Sequence, residues 1–84
     1  MESFDIAVAK QLKTMDELLF LQSEIERCQQ IEKELIQLKD DSKLQSIQQE
    51  IDRMNTELKE IQYIFEQQTE EAIQSYHRMG FTSV

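Results

Sequence analysis

Apolar residues recur at alternating intervals of three and four along the second half of the chain. This alternation, sustained over three heptads, is typical of a helix that buries one stripe of side chains against another helix. A helix cannot cover such a stripe alone, so the pattern predicts an apolar partner of similar length. The positions are Leu44, Ile47, Ile51, Met54, Leu58, Ile61 and Phe65.

The first half of the chain offers a stripe of matching length. Ser3 is a suitable helix N-cap, and no helix breaker follows it before residue 38. We therefore expect a first helix over about residues 3–39. Its predicted stripe comprises Phe4, Val8, Leu12, Met15, Leu18, Leu21, Ile25, Cys28, Ile31, Leu35 and Leu38.

A short polar segment, residues 39–42, separates the two stripes, and the phase of the pattern changes across it. Asp41 or Ser42 can cap a second helix, and Ser42 with Gln45 matches a capping box. The sequence predicts a turn at 39–42 and a second helix over about 42–79. No Gly or Asn marks the end of the first helix, so a continuous bent helix remains the alternative.

The register of the stripes favours the turn. If the chain folds back near residue 41, the numbers of facing residues should sum to about 82. The sequence therefore predicts an all-α fold, an antiparallel two-helix coiled-coil hairpin. The facing apolar pairs, with sums of 82 or 83, are Leu38 with Leu44, Leu35 with Ile47, Ile31 with Ile51, Cys28 with Met54, Ile25 with Leu58, Leu21 with Ile61, Leu18 with Ile64 and Phe4 with Met79.

The only glycine, Gly80, marks the end of the second helix. A glycine there allows a left-handed cap, in which Tyr76 and Phe81 would be in hydrophobic contact. His77 suits the negative end of the helix dipole. We expect residues 80–84 to form a frayed tail.

Composition supports one helical domain over residues 1–84 and limits its partners. The chain has no Pro and a single Gly, so little in it could punctuate short strands. Seventeen acidic and nine basic residues give a net charge of −8, which disfavours binding to nucleic acid or to a membrane. One cysteine, no signal-peptide pattern and no long apolar run predict a soluble, cytoplasmic protein.

Catalytic and metal-binding chemistry is not indicated. His77 has no partner of the kind that a catalytic site needs. Cys28 lies on the apolar stripe, where a thiol packs as a small hydrophobe. The carboxylates of Glu66, Glu70 and Glu71 lack the carbonyl-bearing turn of a calcium site. We expect no enzyme, no catalytic residues, and no cofactor or metal.

Two clusters carry more apolar side chains than one stripe can bury. One covers four successive residues of the first helix and the other three of the second, and the hairpin places them side by side. We expect part of this surface to face outward and bind a partner. The predicted oligomer or partner interface comprises Leu18, Leu19, Phe20, Leu21, Tyr63, Ile64 and Phe65.

The segment from Met15 to Cys28, MDELLFLQSEIERC, together with the acidic, glutamine-rich second arm, resembles the YgaB-like family of short bacterial proteins from bacilli. The resemblance covers nearly the whole chain. It implies a bacterial, cytoplasmic protein and brings no catalytic or binding site to this sequence.

The leading hypothesis is a non-enzymatic coiled-coil module for protein–protein interaction. It would form a homodimer centred on Leu19, Phe20, Tyr63 and Phe65, pair into a four-helix bundle, and offer its acidic outer face to a basic protein surface. The alternative is a small regulatory inhibitor that docks a helical arm on a partner enzyme. An acidic mimic of nucleic acid would need a double row of carboxylates, which the many glutamines dilute.

Overall fold

The computed structural model describes residues 2–78 and confirms the all-α hairpin. Helix α1 spans Glu2–Leu38, helix α2 spans Asp41–Arg78, and the two arms pack against each other. The molecule extends 65 Å along its longest axis, close to the length of one arm at about 1.5 Å per residue. The alternative of one continuous helix is therefore wrong, and the described helix ends lie within one residue of the prediction.

The first helix ends in a Schellman motif. Lys39 has a φ of 57°, in the left-handed region. Its N–H donates to the carbonyl of Ile36 at 3.2 Å, and the N–H of Asp40 donates to the carbonyl of Leu35 at 3.1 Å. These two bonds satisfy carbonyls at the end of α1 in the manner that usually requires glycine. A lysine takes the conformation here, which is why the sequence shows no ordinary C-cap signal.

The second helix is capped by Asp40. Its Oδ1 atom accepts a hydrogen bond from the backbone N–H of Lys43 at 3.2 Å, as an N-cap carboxylate does. The prediction that Asp41 or Ser42 caps α2 is wrong, because Asp41 is already the first residue of the helix. Asp40 thus takes part in the C-terminal cap of α1 through its backbone N–H and in the N-terminal cap of α2 through its side chain.

The apolar core occupies the middle of the hairpin. The partly buried residues Ile47, Leu58 and Ile61 pack at its edges. In α2 the predicted stripe is confirmed, since its members are buried or half-buried throughout. The buried core residues are Leu21, Ile25, Cys28, Ile51 and Met54.

The first half of α1 differs from the prediction. The buried or half-buried residues alternate at three and four throughout, whereas the predicted stripe began with two steps of four. Two such steps turn a stripe by about 80° around a helix, so Leu12 and Met15 leave the face that meets α2. Val8 is half-buried, and Leu12 and Met15 are exposed. The observed seam of α1 runs through Phe4, Ala7, Gln11, Thr14, Leu18, Leu21, Ile25 and Cys28.

At the open end of the hairpin, the ring of Phe4 packs on Tyr76 with centroids 5.6 Å apart. The predicted register is therefore wrong by two or three residues, because the contacts of Phe4 with Tyr76 and of Gln11 with Thr69 sum to 80 rather than 82 or 83. Leu38 and Ile64, which were predicted to face Leu44 and Leu18, are exposed. Met79, the cap at Gly80 and the tail lie outside the described residues. No helix of the described chain is both long and apolar enough to span a membrane.

Candidate interaction surface

The seam between the helices becomes polar toward the open end. Apolar side chains fill it in the middle of the hairpin, but small or polar residues replace them nearer the termini. This half therefore buries less apolar surface, and burial of apolar surface is the main stabilising contribution to a helix pair. The seam residues concerned are Ala7, Gln11, Thr14, Gln68, Ala72 and Ser75.

Hydrogen bonds join the arms in this polar half. Gln11 Nε2 donates to Thr69 Oγ1 at 2.7 Å, and the Ser3 hydroxyl donates to that of Ser75 at 3.3 Å. The buried Thr14 hydroxyl donates to a backbone carbonyl of its own helix at 3.1 Å. Each hydrogen bond contributes about 1 kcal/mol. The two bonds between the arms therefore contribute more to the register of the helices than to the stability of the hairpin.

One polar side chain in this half of the seam has an unsatisfied hydrogen-bond acceptor. The Oε1 atom of Gln68 is buried and has no hydrogen-bond partner within residues 2–78. Gln68 lies next to Thr69 and so level with Gln11, whose amide already donates to the Thr69 hydroxyl. A buried acceptor without a donor costs about 1–3 kcal/mol. The seam at Gln68 is therefore a weak point of the hairpin.

In this half of α1, large apolar side chains lie on the face next to the seam rather than in the seam itself. Val8, Leu12, Met15 and Leu19 follow at intervals of four, three and four and form one straight row. We call these four residues the first-helix stripe; it lies roughly 100° around α1 from the seam. Leu12 exposes 61% of its surface and Leu19 56%.

The sequence assigned Val8, Leu12 and Met15 to the seam and so missed the exposure of Leu12 and Met15. The signal that could have found it is the second register available to α1. A strict alternation through Ala7, Gln11 and Thr14 reaches Leu18 as directly as the apolar path through Leu12 and Met15. Heptad geometry, rather than hydrophobicity, selects between the two registers.

The seven predicted interface residues divide between the seam and the surface. Leu18 and Leu21 are buried in the seam, and Phe65 is half-buried there. The remaining four are exposed to solvent and are available to a partner: Leu19, Phe20, Tyr63 and Ile64.

Leu19 and Phe20 point to different sides of the hairpin. Phe20 lines a shallow groove of about 380 Å³ together with Glu17 and Glu57. The Lys10–Glu71 ion pair, with Nζ and Oε1 3.8 Å apart, occupies heptad positions on this same side. Leu19 belongs to the first-helix stripe, on the side of the Gln11–Thr69 hydrogen bond. One side of the molecule is thus edged by charges, while the other carries an apolar row.

The other ion pairs among the described residues lie within single helices or, for Lys43 and Asp40, at the start of α2. Arg53 pairs with Glu50 and, at 3.2 Å, with Glu57, and Arg27 pairs with Glu24 at 2.8 Å. The hydrogen bond from Arg53 lowers the pKa of Glu50. Exposed pairs of this kind contribute little to stability. These ion pairs lie on the outer faces of the helices and do not line a common concave site.

The residues considered for chemistry are dispersed. Cys28 is buried in the core as a free thiol, and the exposed His77 ring lies 6.2 Å from that of Tyr76. In the part of the chain that the structure describes, no group of three or more His, Cys, Asp or Glu side chains could hold a metal ion.

The fold and this surface define a class of small, acidic, all-α hairpins with uncovered apolar side chains beside the seam. Within that class the chain belongs to the YgaB-like family, whose model, described as YgaB-like protein, matches residues 3–79. The resemblance predicted from the sequence is therefore confirmed. The chain is 50% identical over 76 residues to the uncharacterized protein YgaB of Bacillus subtilis (strain 168), covering 90% of this chain and 67% of that relative. No solved structure matches.

Proposed function

We propose that the chain is a non-enzymatic protein–protein interaction module of the bacterial cytoplasm that self-associates and leaves its acidic outer face in solvent. The observation that carries the proposal is the exposure of large apolar side chains outside the seam, including Leu12 and Leu19 on one side of the hairpin and Phe20 on the other. A group of such side chains on a small protein marks a binding surface. The acidic composition and the bacterial family support the location.

The small core supports self-association. Only five residues form the buried apolar cluster, and they occupy the middle third of the hairpin. Domains of this size seldom bury enough apolar surface to be stable without disulfides, metals or oligomerisation. Two hairpins that pair into a four-helix bundle would cover the exposed apolar side chains of one side and enlarge the core. We therefore propose a homodimer.

Light scattering on the purified chain at tens of micromolar tests this proposal. The expected mass is twice the 10.0 kDa of one chain, and it should fall toward the monomer value on dilution. A monomer at all accessible concentrations would contradict self-association.

A monomer would instead favour the alternative, a regulatory inhibitor that docks one arm on a partner enzyme. The observation behind this alternative is Phe20, which exposes 68% of its surface and lies between Glu17 and Glu57. An exposed aromatic flanked by acids fits an apolar groove with a basic rim. Its test is recovery of a specific enzyme on wild-type protein and its loss on Phe20→Glu.

A further inference from the structure

We infer that the second copy docks on the first-helix stripe, with the two α1 helices antiparallel across a two-fold axis between residues 13 and 14. This inference rests on the proposed self-association and specifies its contact surface and geometry. In this arrangement Val8 lies opposite Leu19 of the second copy, and Leu12 lies opposite Met15.

Apolar side chains in the open half of α1 lie outside the seam, on the neighbouring face of the helix. Gln11 and Thr14 occupy the seam, while Leu12 and Leu19 remain in solvent. A hairpin that functions alone would be more stable with these assignments reversed. A helix in a four-helix bundle contacts two neighbours and needs apolar residues on two adjacent faces. The stripe supplies the second face.

The spacing of the first-helix stripe is symmetric. The intervals within the stripe are four, three and four, and they read the same in both directions. A two-fold axis makes the same surface meet itself, so residue i contacts residue j and j contacts i. Antiparallel alignment of two such stripes brings every member onto an apolar partner: the pairs sum to 27, as Val8 with Leu19 and Leu12 with Met15.

Charged residues at the ends of the first-helix stripe favour the antiparallel pair over a parallel one. The antiparallel arrangement sets Asp5, one step beyond Val8, opposite Gln22 of the second copy. A parallel pair would set Asp5 against Asp5 and Glu26 against Glu26. Like charges in contact are unfavourable, and they are more so in a chain whose net charge is already −8. The antiparallel pair avoids both contacts.

Docking of the stripe on α2 of the second copy is also less favourable. Toward the open end, α2 carries exposed Ile73 and Tyr76 on the same side of the hairpin as the stripe, beside Val8. The other positions of α2 on that side include Gln62, Glu66 and Thr69. These would cover Leu12, Met15 and Leu19 with polar groups. Contact between the two α1 helices buries apolar against apolar, which favours that arrangement.

Disulfide trapping tests the geometry. In a Cys28→Ser background, which lacks the chain's only thiol, one sample carries Val8→Cys and another Leu19→Cys. When the two are mixed and oxidised, we expect a cross-link between the two kinds of chain. Each variant alone should cross-link at least about fivefold less, because identical positions would lie about 16 Å apart along the helix, beyond the reach of a disulfide at about 7 Å. Equal cross-linking of each variant with itself would overturn the antiparallel arrangement.

Charge substitutions on the two sides of the hairpin test the surface. Leu12→Glu should raise the dimer dissociation constant at least about tenfold, since it buries a carboxylate. The matched control, Phe20→Glu on the other side, should leave the constant within about twofold. Circular dichroism verifies that both variants stay helical. If Phe20→Glu dissociates the dimer and Leu12→Glu does not, self-association stands and the assigned surface is wrong; a monomeric wild type overturns both.

Discussion

Lys39 is the residue on which the reversal of the chain depends. It holds a left-handed conformation, with φ 57°, that costs a residue with a Cβ atom about 1–2 kcal/mol. The surrounding bonds compensate for this cost: its own N–H and that of Asp40 satisfy two carbonyls of α1, and the Asp40 carboxylate caps α2. An aspartate before a helix is recognisable as an N-cap in the sequence. A lysine, in contrast, gives no sign of a left-handed C-cap.

Substitution of Lys39 by Gly should therefore stabilise the hairpin. We expect the free energy of unfolding to rise by about 1 kcal/mol, since glycine adopts the left-handed region without the Cβ clash. Urea denaturation at fixed protein concentration measures the change. Lys39→Ala is the matched control, because it removes the same charge and keeps the Cβ atom. A gain in Lys39→Ala as large as that in Lys39→Gly would attribute the effect to charge and contradict the conformational explanation.

At the scale of the helices, packing geometry rather than hydrophobicity determines which residues occupy the polar half of the seam. A strict alternation of three and four keeps one face of α1 on α2 along its whole length. The cost is a seam that includes Gln11, Thr14 and Gln68, the last with a buried oxygen that has no partner among the described residues. The Gln11–Thr69 bond offsets part of this cost.

Gln68→Leu should raise the free energy of unfolding by about 1 kcal/mol, because it removes a buried unpaired acceptor and adds apolar surface to the seam. Thermal or urea unfolding, followed by circular dichroism, measures the change. Gln67→Leu adds the same side chain at an exposed neighbouring position and should change stability by less than about 0.5 kcal/mol. A destabilised Gln68→Leu would show that the amide is satisfied in solution.

The sequence predicted α2 better than α1 for a physical reason. In α2 the apolar residues from Leu44 to Phe65 already follow a strict heptad, so hydrophobicity and packing geometry agree. In α1 they conflict before Leu18, and a pattern read by hydrophobicity alone places Leu12 in the seam. The exposure of Leu19 and Phe20 was predicted from the number of adjacent apolar residues. Their separation onto two sides follows only from the register of α1, which the sequence left ambiguous.

For the whole molecule, net charge and apolar surface act in opposite directions. Each chain carries a charge of −8, so two copies repel each other at long range. The first-helix stripe is uncharged, and contact through it gains from burial of apolar surface without ion pairs across the axis. Two such chains would therefore associate through an apolar contact in spite of the electrostatic repulsion between them.

The dimer should therefore tighten as salt is added. Between about 10 mM and about 1 M salt the screening length falls from about 30 Å to about 3 Å, which removes most of the repulsion between the two acidic hairpins and leaves the apolar contact in place. Sedimentation equilibrium across this range should give a dissociation constant that falls steadily. An arm docked on a basic partner would respond in the opposite sense, because screening weakens attraction between unlike charges. A homodimer that dissociates at high salt would mean that ion pairs hold it together, and the uncharged stripe would then not be its contact.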